Sequence, residues 1–307
     1  MRGRPGLLAA TILAAMTAAC AAGVRNDIDQ TTAACSGGPV EAREAACGAL
    51  IDRVRSAMAD GDMAKVTGYE LLAKAHHARA NLAVLRGDDG AAIADYDAAI
   101  AIDRYDAAAY FNRGLALARQ GRLELAIADY DAAIGVDDRH APSWASRGLA
   151  WARQGDVDRA IADYDAALKL DPRHAATLSN RGTAWAQKRN YARALADYEA
   201  AQRLDPGNPV RDNAVAWLLA TVPDAGLRDG ARALALAENA VNRAPELANH
   251  VDTLAAAYAE VGRYTAAAGT QQRAIDLQRA ANADGPTLAS FTRRLALYKA
   301  GKPYRLP

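Results

Sequence analysis

The nine residues AIADYDAAI occur at Ala92–Ile100 and again at Ala126–Ile134. AIADYDAAL follows at Ala160–Leu168 and ALADYEAAQ at Ala194–Gln202, each copy 34 residues after the last. A fixed period between 20 and 50 residues constrains a fold more than any single motif. One copy cannot bury its apolar side alone, so successive copies must stack. The length, 307 residues, would otherwise suggest one large or two ordinary compact domains.

Aligned as Ala73–Asp106, Ala107–His140, Ala141–His174 and Ala175–Asn208, the copies show which side chains the stack requires. The eighth column holds Ala80, Gly114, Gly148 and Gly182; the twentieth Ala92, Ala126, Ala160 and Ala194; the twenty-seventh Ala99, Ala133, Ala167 and Ala201. Such small residues let two helices cross closely. Trp151 and Trp185 share the eleventh column, and Tyr96, Tyr130, Tyr164 and Tyr198 the twenty-fourth. Within the phrase, Ile93, Tyr96 and Ile100 fall at i, i+3 and i+7, the spacing of one helix face. Gly87, Gly121 and Gly155 stand in the fifteenth column, where a first helix should end in a left-handed residue. Pro172 and Pro206 stand in the thirty-second, where a second helix cannot continue. Each unit is therefore helix, turn, helix, turn, and the alanine-rich composition, 51% hydrophobic but 6% aromatic, suits closely packed helices.

Small residues at columns eight, twenty and twenty-seven, aromatics at eleven and twenty-four and proline at thirty-two resemble the tetratricopeptide repeat. The resemblance implies an all-α, right-handed α-solenoid of helix-turn-helix repeats, with four regular units over residues 73–208. Two divergent units are expected over 209–282: Asn213–Pro245, with an insertion of about five residues at its inner turn, and Val251–Ile275. Residues 283–307 are expected to hold a capping helix, Pro286–Ala300, and a tail. In residues 23–72, Glu41–Ala57 resembles a lone second-helix half, followed by a helix over Met63–Arg86.

The same resemblance implies a partner-binding groove lined by columns two, five, nine, twelve and thirteen. These place Lys74, His77 and Asn81 in the first unit, Phe111, Leu115 and Arg119 in the second, Leu149 and Arg153 in the third, and Ser179, Thr183 and Gln187 in the fourth. Such a groove suits a peptide with apolar side chains and an acidic residue near Arg119 or Arg153. Relatives that grip a carboxylate use polar residues where this chain has Leu115 and Ala176, so that activity is not implied.

Arg2 and Arg4 precede the apolar run Leu7–Ala19, the pattern of a secretory signal over residues 1–22; the run is too short for a membrane span of about 20 residues. MTAAC resembles a bacterial lipobox, which would make Cys20 a lipidation site; Thr17 replaces its usual leucine, and plain cleavage near Ala19 or Gly23 is the alternative. The expected location is the periplasm, with or without a lipid tether to the outer membrane. In an exported chain Cys35 and Cys47, separated by an SGGP turn, are expected to form a disulfide clamping an entry strand to the first helix, worth about 3 kcal/mol.

Lys and Arg number 37 against 36 Asp and Glu, a net charge of +1 without a basic run. No nucleic-acid partner is expected. The two aspartates of each DYD diverge by about 200° around a helix, which argues for a solvated face with structural ion pairs rather than paired catalytic carboxylates. Each first aspartate has an arginine eighteen residues on, in Asp95 and Arg113, Asp129 and Arg147, and Asp163 and Arg181, which predicts bridges between units. His140 and His174 share a turn column and His76, His77 and His250 are scattered, so no metal and no cofactor are expected. No catalytic motif is present, and the chain is read as a non-catalytic protein-binding scaffold. The alternative is a self-associating envelope subunit working through its end helices. The sequence does not fix the oligomeric state.

Overall fold

The computed structural model describes residues 23–281 and 285–307; the signal-like segment and Cys20 lie outside them. The described residues are helical apart from turns and the closing segment. The fold is an all-α solenoid of helical repeats. The chain divides into two compact units, with the boundary after Ala150.

Unit 1 begins with residues 23–36, here α1, followed by α2 (Val40–Ala59), α3 (Lys65–Leu85), α4 (Asp89–Ile102), α5 (Ala107–Arg119), α6 (Leu123–Val136) and α7 (Ala141–Gln154), within which the unit ends. The segment before α2 is a helix, not the strand expected, and α2 is not a lone half. Ile28 of α1 is buried with Leu50, Ile51 and Val54 of α2, and Arg53 pairs with Asp27 at 2.9 Å. The helix was hidden in the sequence because residues 23–36 carry few large apolar side chains. Cys35 and Cys47 do form a disulfide, with a Cα–Cα separation of 4.6 Å, so the bond staples a helical hairpin.

The repeat columns explain the packing. Tyr96 and Tyr130 are fully buried, and a Cβ on Gly114 would stand 2.7 Å from the Tyr130 ring, so only the absence of a side chain admits the tyrosine. The buried face of the phrase is Ala92, Asp95, Tyr96 and Ala99, at i, i+3, i+4 and i+7. Ile93 and Ile100 are half-buried there, whereas their counterparts Ile127 and Ile134 in α6 are buried beside Tyr130, so the expected face is kept and widened to take in the small residues and the first aspartate. Helix starts are set by side-chain caps: Asp88 accepts from the Ala91 N–H and Asp106 from the Ala109 N–H, both at 2.9 Å. The predicted left-handed glycines are present, with φ of +76° at Gly87, +77° at Gly121 and +87° at Gly155.

The aspartate–arginine bridges exist in a different register. The first aspartate of each phrase is buried rather than solvated, and Asp95, Asp129 and Asp197 are each held by the arginine sixteen residues earlier in the same repeat. Arg113 donates from Nε and Nη2 to Asp129 at 2.8 and 2.6 Å. Arg79 makes the same fork on Asp95, where His76 Nδ1 adds a third contact at 2.8 Å. The arginine eighteen residues on is reached instead by the second aspartate, as in Asp97 with Arg113 and Asp131 with Arg147, each at 2.5 Å. The physical reason is the angle between the two carboxylates. One points at the unit's own first helix, the other toward the next unit. The Asp129 side chain is 7% exposed and that of Asp97 57%.

Unit 2 continues with α8 (Val157–Leu170), α9 (Ala175–Gln187), α10 (Tyr191–Leu204), α11 (Pro209–Thr221), a 3-10 turn (Ala225–Leu227), α12 (Gly230–Arg243), α13 (Ala248–Glu260), α14 (Tyr264–Ala280) and α15 (Pro286–Lys299). The fifth hairpin has the expected lengthened inner turn, and α15 caps the last one by burying Phe291 and Leu295 in the core of α11 to α14. The ladder recurs: Arg181 forks onto Asp197 at 2.8 and 2.7 Å and reaches Asp165 at 2.6 Å. In the fifteenth column the fourth repeat has Arg189, which adopts φ +59°, the conformation its glycine counterparts reach without steric cost.

Candidate functional site

The residues expected to form one groove fall into two sets. Lys74, His77, Asn81, Phe111, Leu115, Arg119 and Leu149 belong to unit 1; Arg153, Ser179, Thr183 and Gln187 belong to unit 2.

In unit 1, Lys74, His77 and Asn81 lie at i, i+3 and i+7 on α3 and share a cleft of about 930 Å³ with Val66, Tyr69, Ile102 and Asp106. Val66 and Tyr69 are 72% and 51% exposed, unusual for large apolar side chains beside a cleft. The polar wall is fixed. Asp106 caps α5 and also receives His77 Nδ1 at 2.7 Å. Burial raises the Asp106 carboxyl, but the bonds from His77 and the Ala109 N–H more than offset this and leave it below its ordinary value. The Tyr96 hydroxyl donates to Asn81 Oδ1 at 2.5 Å and Asn112 Nδ2 donates to the same oxygen at 3.3 Å. Burial pushes the Tyr96 phenol up to about 12, so it stays a donor at neutral pH. The edge of the His77 ring meets the Tyr96 ring at 5.6 Å. The repeat's own tyrosine thus orients the wall of the cleft.

The other unit 1 residues do not join that cleft. Phe111 packs against Tyr130 and, edge-on at 4.9 Å, against His140. Leu115 is half-buried and Leu149 exposed. Arg119 donates to Asp89 from Nε at 2.9 Å and Nη2 at 2.5 Å, so its guanidinium is already engaged by a carboxylate.

In unit 2, Ser179 Oγ accepts from Arg211 at 3.1 Å, Thr183 Oγ1 meets the Tyr198 hydroxyl at 2.9 Å, and Arg153 is exposed. Gln187 lines a cleft of about 480 Å³ whose other walls include Tyr191, Tyr198, Trp217, Leu306 and Pro307. Leu306 and Pro307 come from the closing segment, for which the sequence predicts only a tail. The placing of Arg305 between Tyr304 and Leu306 was the available signal, too short to interpret alone.

Comparisons with known proteins agree with this architecture. Models of the tetratricopeptide repeat match residues 146–209 and 107–140, and a TPR repeat model matches residues 80–121. The pilF protein of Pseudomonas aeruginosa is similar in structure, with 19% identity over 74% of this chain and 99% of that one, at a TM-score of 0.60. A tetratricopeptide repeat protein from Parabacteroides merdae is 19% identical over 75% of this chain and 98% of that one, at 0.55. YrrB, described as a TPR protein with an unusual peptide-binding site, is 21% identical over 64% of this chain and 97% of that one, at 0.53. No curated protein sequence matches the chain. Similarity at these identities concerns the fold; the repeat models, which together cover residues 80–140 and 146–209, make this a chain that carries tetratricopeptide repeats.

Proposed function

We propose that the chain is a non-catalytic scaffold of the bacterial cell envelope that holds a peptide or protein segment in the α3 cleft of unit 1. The observation that carries this reading is the preformed cleft, in which exposed Val66 and Tyr69 stand beside a wall whose polar atoms are already hydrogen-bonded. A fixed wall lowers the ordering cost of binding. The acidic ligand residue expected near Arg119 has less support, because Asp89 holds that guanidinium. Glu70 and Asp103 on the rim suit a segment with apolar side chains and a basic residue. His77 and Asp106 are bonded to each other, and the two described cysteines are joined, which supports a binding role over a catalytic one.

Export is supported by the signal-like start and by the disulfide, a bond that persists in oxidising compartments. Lipid attachment at Cys20 rests on the lipobox resemblance, and fatty-acid labelling abolished by Cys20→Ala is the expected result. The groove is tested by a photo-crosslinker at Lys74 in native cells. A discrete adduct that disappears with Val66→Asp and Tyr69→Ala supports the cleft. An adduct of two copies of the chain favours self-association, and no adduct from correctly exported protein removes the reading.

A further inference from the structure

The closing segment Lys302–Pro307 has no regular secondary structure, yet it is held at every residue from Tyr304 onward. The Tyr304 ring lies 5.8 Å from Trp217, and the Arg294 guanidinium sits 5.2 Å from each of these two rings. Arg305 Nη2 pairs with Glu260 at 2.5 Å, and its Nη1 donates to the Ala220 carbonyl at 3.2 Å. The Leu306 N–H donates to the Thr221 carbonyl at 2.9 Å. The Leu306 side chain packs on the buried cluster of Ala194, Leu218 and Val222 and shares a cleft with Tyr191, Tyr198 and Trp217, and the Tyr191 hydroxyl donates to the Pro307 carbonyl at 2.9 Å.

These contacts have the form of peptide recognition. Ala220 and Thr221 are the last residues of α11, whose end carbonyls have no partner within their own helix; an extended chain supplies the donors. Carried into the fifth repeat, groove columns five, nine, twelve and thirteen fall on Asn213, Trp217, Ala220 and Thr221. The segment therefore lies on the columns the family resemblance assigns to a ligand. Its backbone is bonded through main-chain groups, its arginine is read by a carboxylate and its aliphatic residue by an aromatic pocket.

We propose that unit 2 contains a second peptide-binding groove, occupied in cis by Lys302–Pro307, and that its partner is an extended peptide with an aromatic, an arginine and an aliphatic residue in succession, which binds by displacing that segment. This site is independent of the α3 cleft of unit 1. Occupation in cis competes through effective concentration, so the groove opens only to a partner that is abundant or binds more tightly than the built-in segment.

The test uses the full chain and a fluorescein-labelled peptide of sequence KPYRLP, read by fluorescence anisotropy. Arg305→Glu places a second carboxylate against Glu260 and should free the segment. The peptide is then expected to bind at least about tenfold more tightly than to the unchanged chain, and Trp217→Ala added to Arg305→Glu should abolish the gain. A folded Arg305→Glu chain that binds the peptide no better than the unchanged chain overturns the proposal and leaves the segment as a structural strap. Should that variant fail to fold, Leu306→Ala, which removes only the aliphatic contact, is expected to raise affinity about threefold; no gain overturns the proposal equally. Loss of the Lys74 crosslink with the peptide result intact would count against the unit 1 cleft alone.

Discussion

Units 1 and 2 are built from the same helical hairpins, yet the face of α3 in one is open to solvent and that of α11 in the other is covered. In unit 1 the α3 face carries a cleft bordered by exposed Val66 and Tyr69. In unit 2 the corresponding columns of α11 meet Tyr304, Arg305 and Leu306. The means of holding the units together differ as well. A disulfide staples the first hairpin of unit 1, whereas the last helices of unit 2 are joined by a buried ion pair, Arg294 to Asp252 at 2.8 Å, with Gln271 also donating to Asp252 at 2.8 Å. The repeated residues make the scaffold, and the unrepeated ones decide what each stretch of it is free to bind.

The largest test of this contrast is Arg294→Ala, which strands the buried Asp252 carboxylate and removes the cation stacked on Trp217 and Tyr304. Breaking a buried pair from one side costs about 3–5 kcal/mol. Hydrogen exchange resolved by segment should show α13 to α15 and the closing segment destabilised and α2 to α4 unchanged. Burial already raises the Asp252 carboxyl, so the loss should shrink as pH falls, because a protonated Asp252 needs no counter-charge. A loss shared equally by unit 1 would erase the contrast.

Reducing the Cys35–Cys47 bond, or replacing both cysteines by serine, should cost about 3 kcal/mol. Its effect should be confined to the other end: α1 and α2 lose exchange protection while α11 to α15 keep theirs. Unchanged denaturation midpoints for the α1 and α2 segments would show that their packing alone suffices.

A smaller effect of opposite sign is expected at Arg189, whose φ of +59° costs an ordinary side chain about 1–2 kcal/mol. Arg189→Gly should therefore raise the stability of α9 and α10 by about 1 kcal/mol, less what glycine's greater freedom in the unfolded chain takes back. A lowered thermal midpoint would mean that contacts of the arginine outweigh the strain. Smallest is Asp97→Asn, which removes an exposed partner of Arg113 while Asp129 keeps its fork. Exposed pairs contribute about 0–1 kcal/mol, so a loss above that range would give the bridge toward the next repeat more weight than the intra-unit fork.

Much of the scaffold was legible from residue types alone. Glycine and alanine in the eighth column, tyrosine in the twenty-fourth and glycine in the fifteenth each leave one packing solution, and the Gly114–Tyr130 contact and the left-handed turns realise it. The ion pairs were half legible. Charge spacing showed that aspartate and arginine would meet, but whether sixteen or eighteen residues separate the partners depends on which way each carboxylate faces once the helices have packed. The α3 cleft residues were named by column; that Asp106 and Tyr96 would lock them was not, because those bonds join side chains 29 and 15 residues apart in sequence.

The sequence by itself determined the repeat, its period, the helix limits and the small-to-large complementarity between helices, because these are local or recur at every copy and so reinforce one another. Only the tertiary structure decided that residues 23–36 close a hairpin, that the first aspartate of each phrase is buried and that Lys302–Pro307 lies on α11. The first and the last depend on contacts between distant segments that are made once, about which a periodic pattern carries no information; the aspartate burial recurs, but the direction each carboxylate faces is settled only when the helices pack.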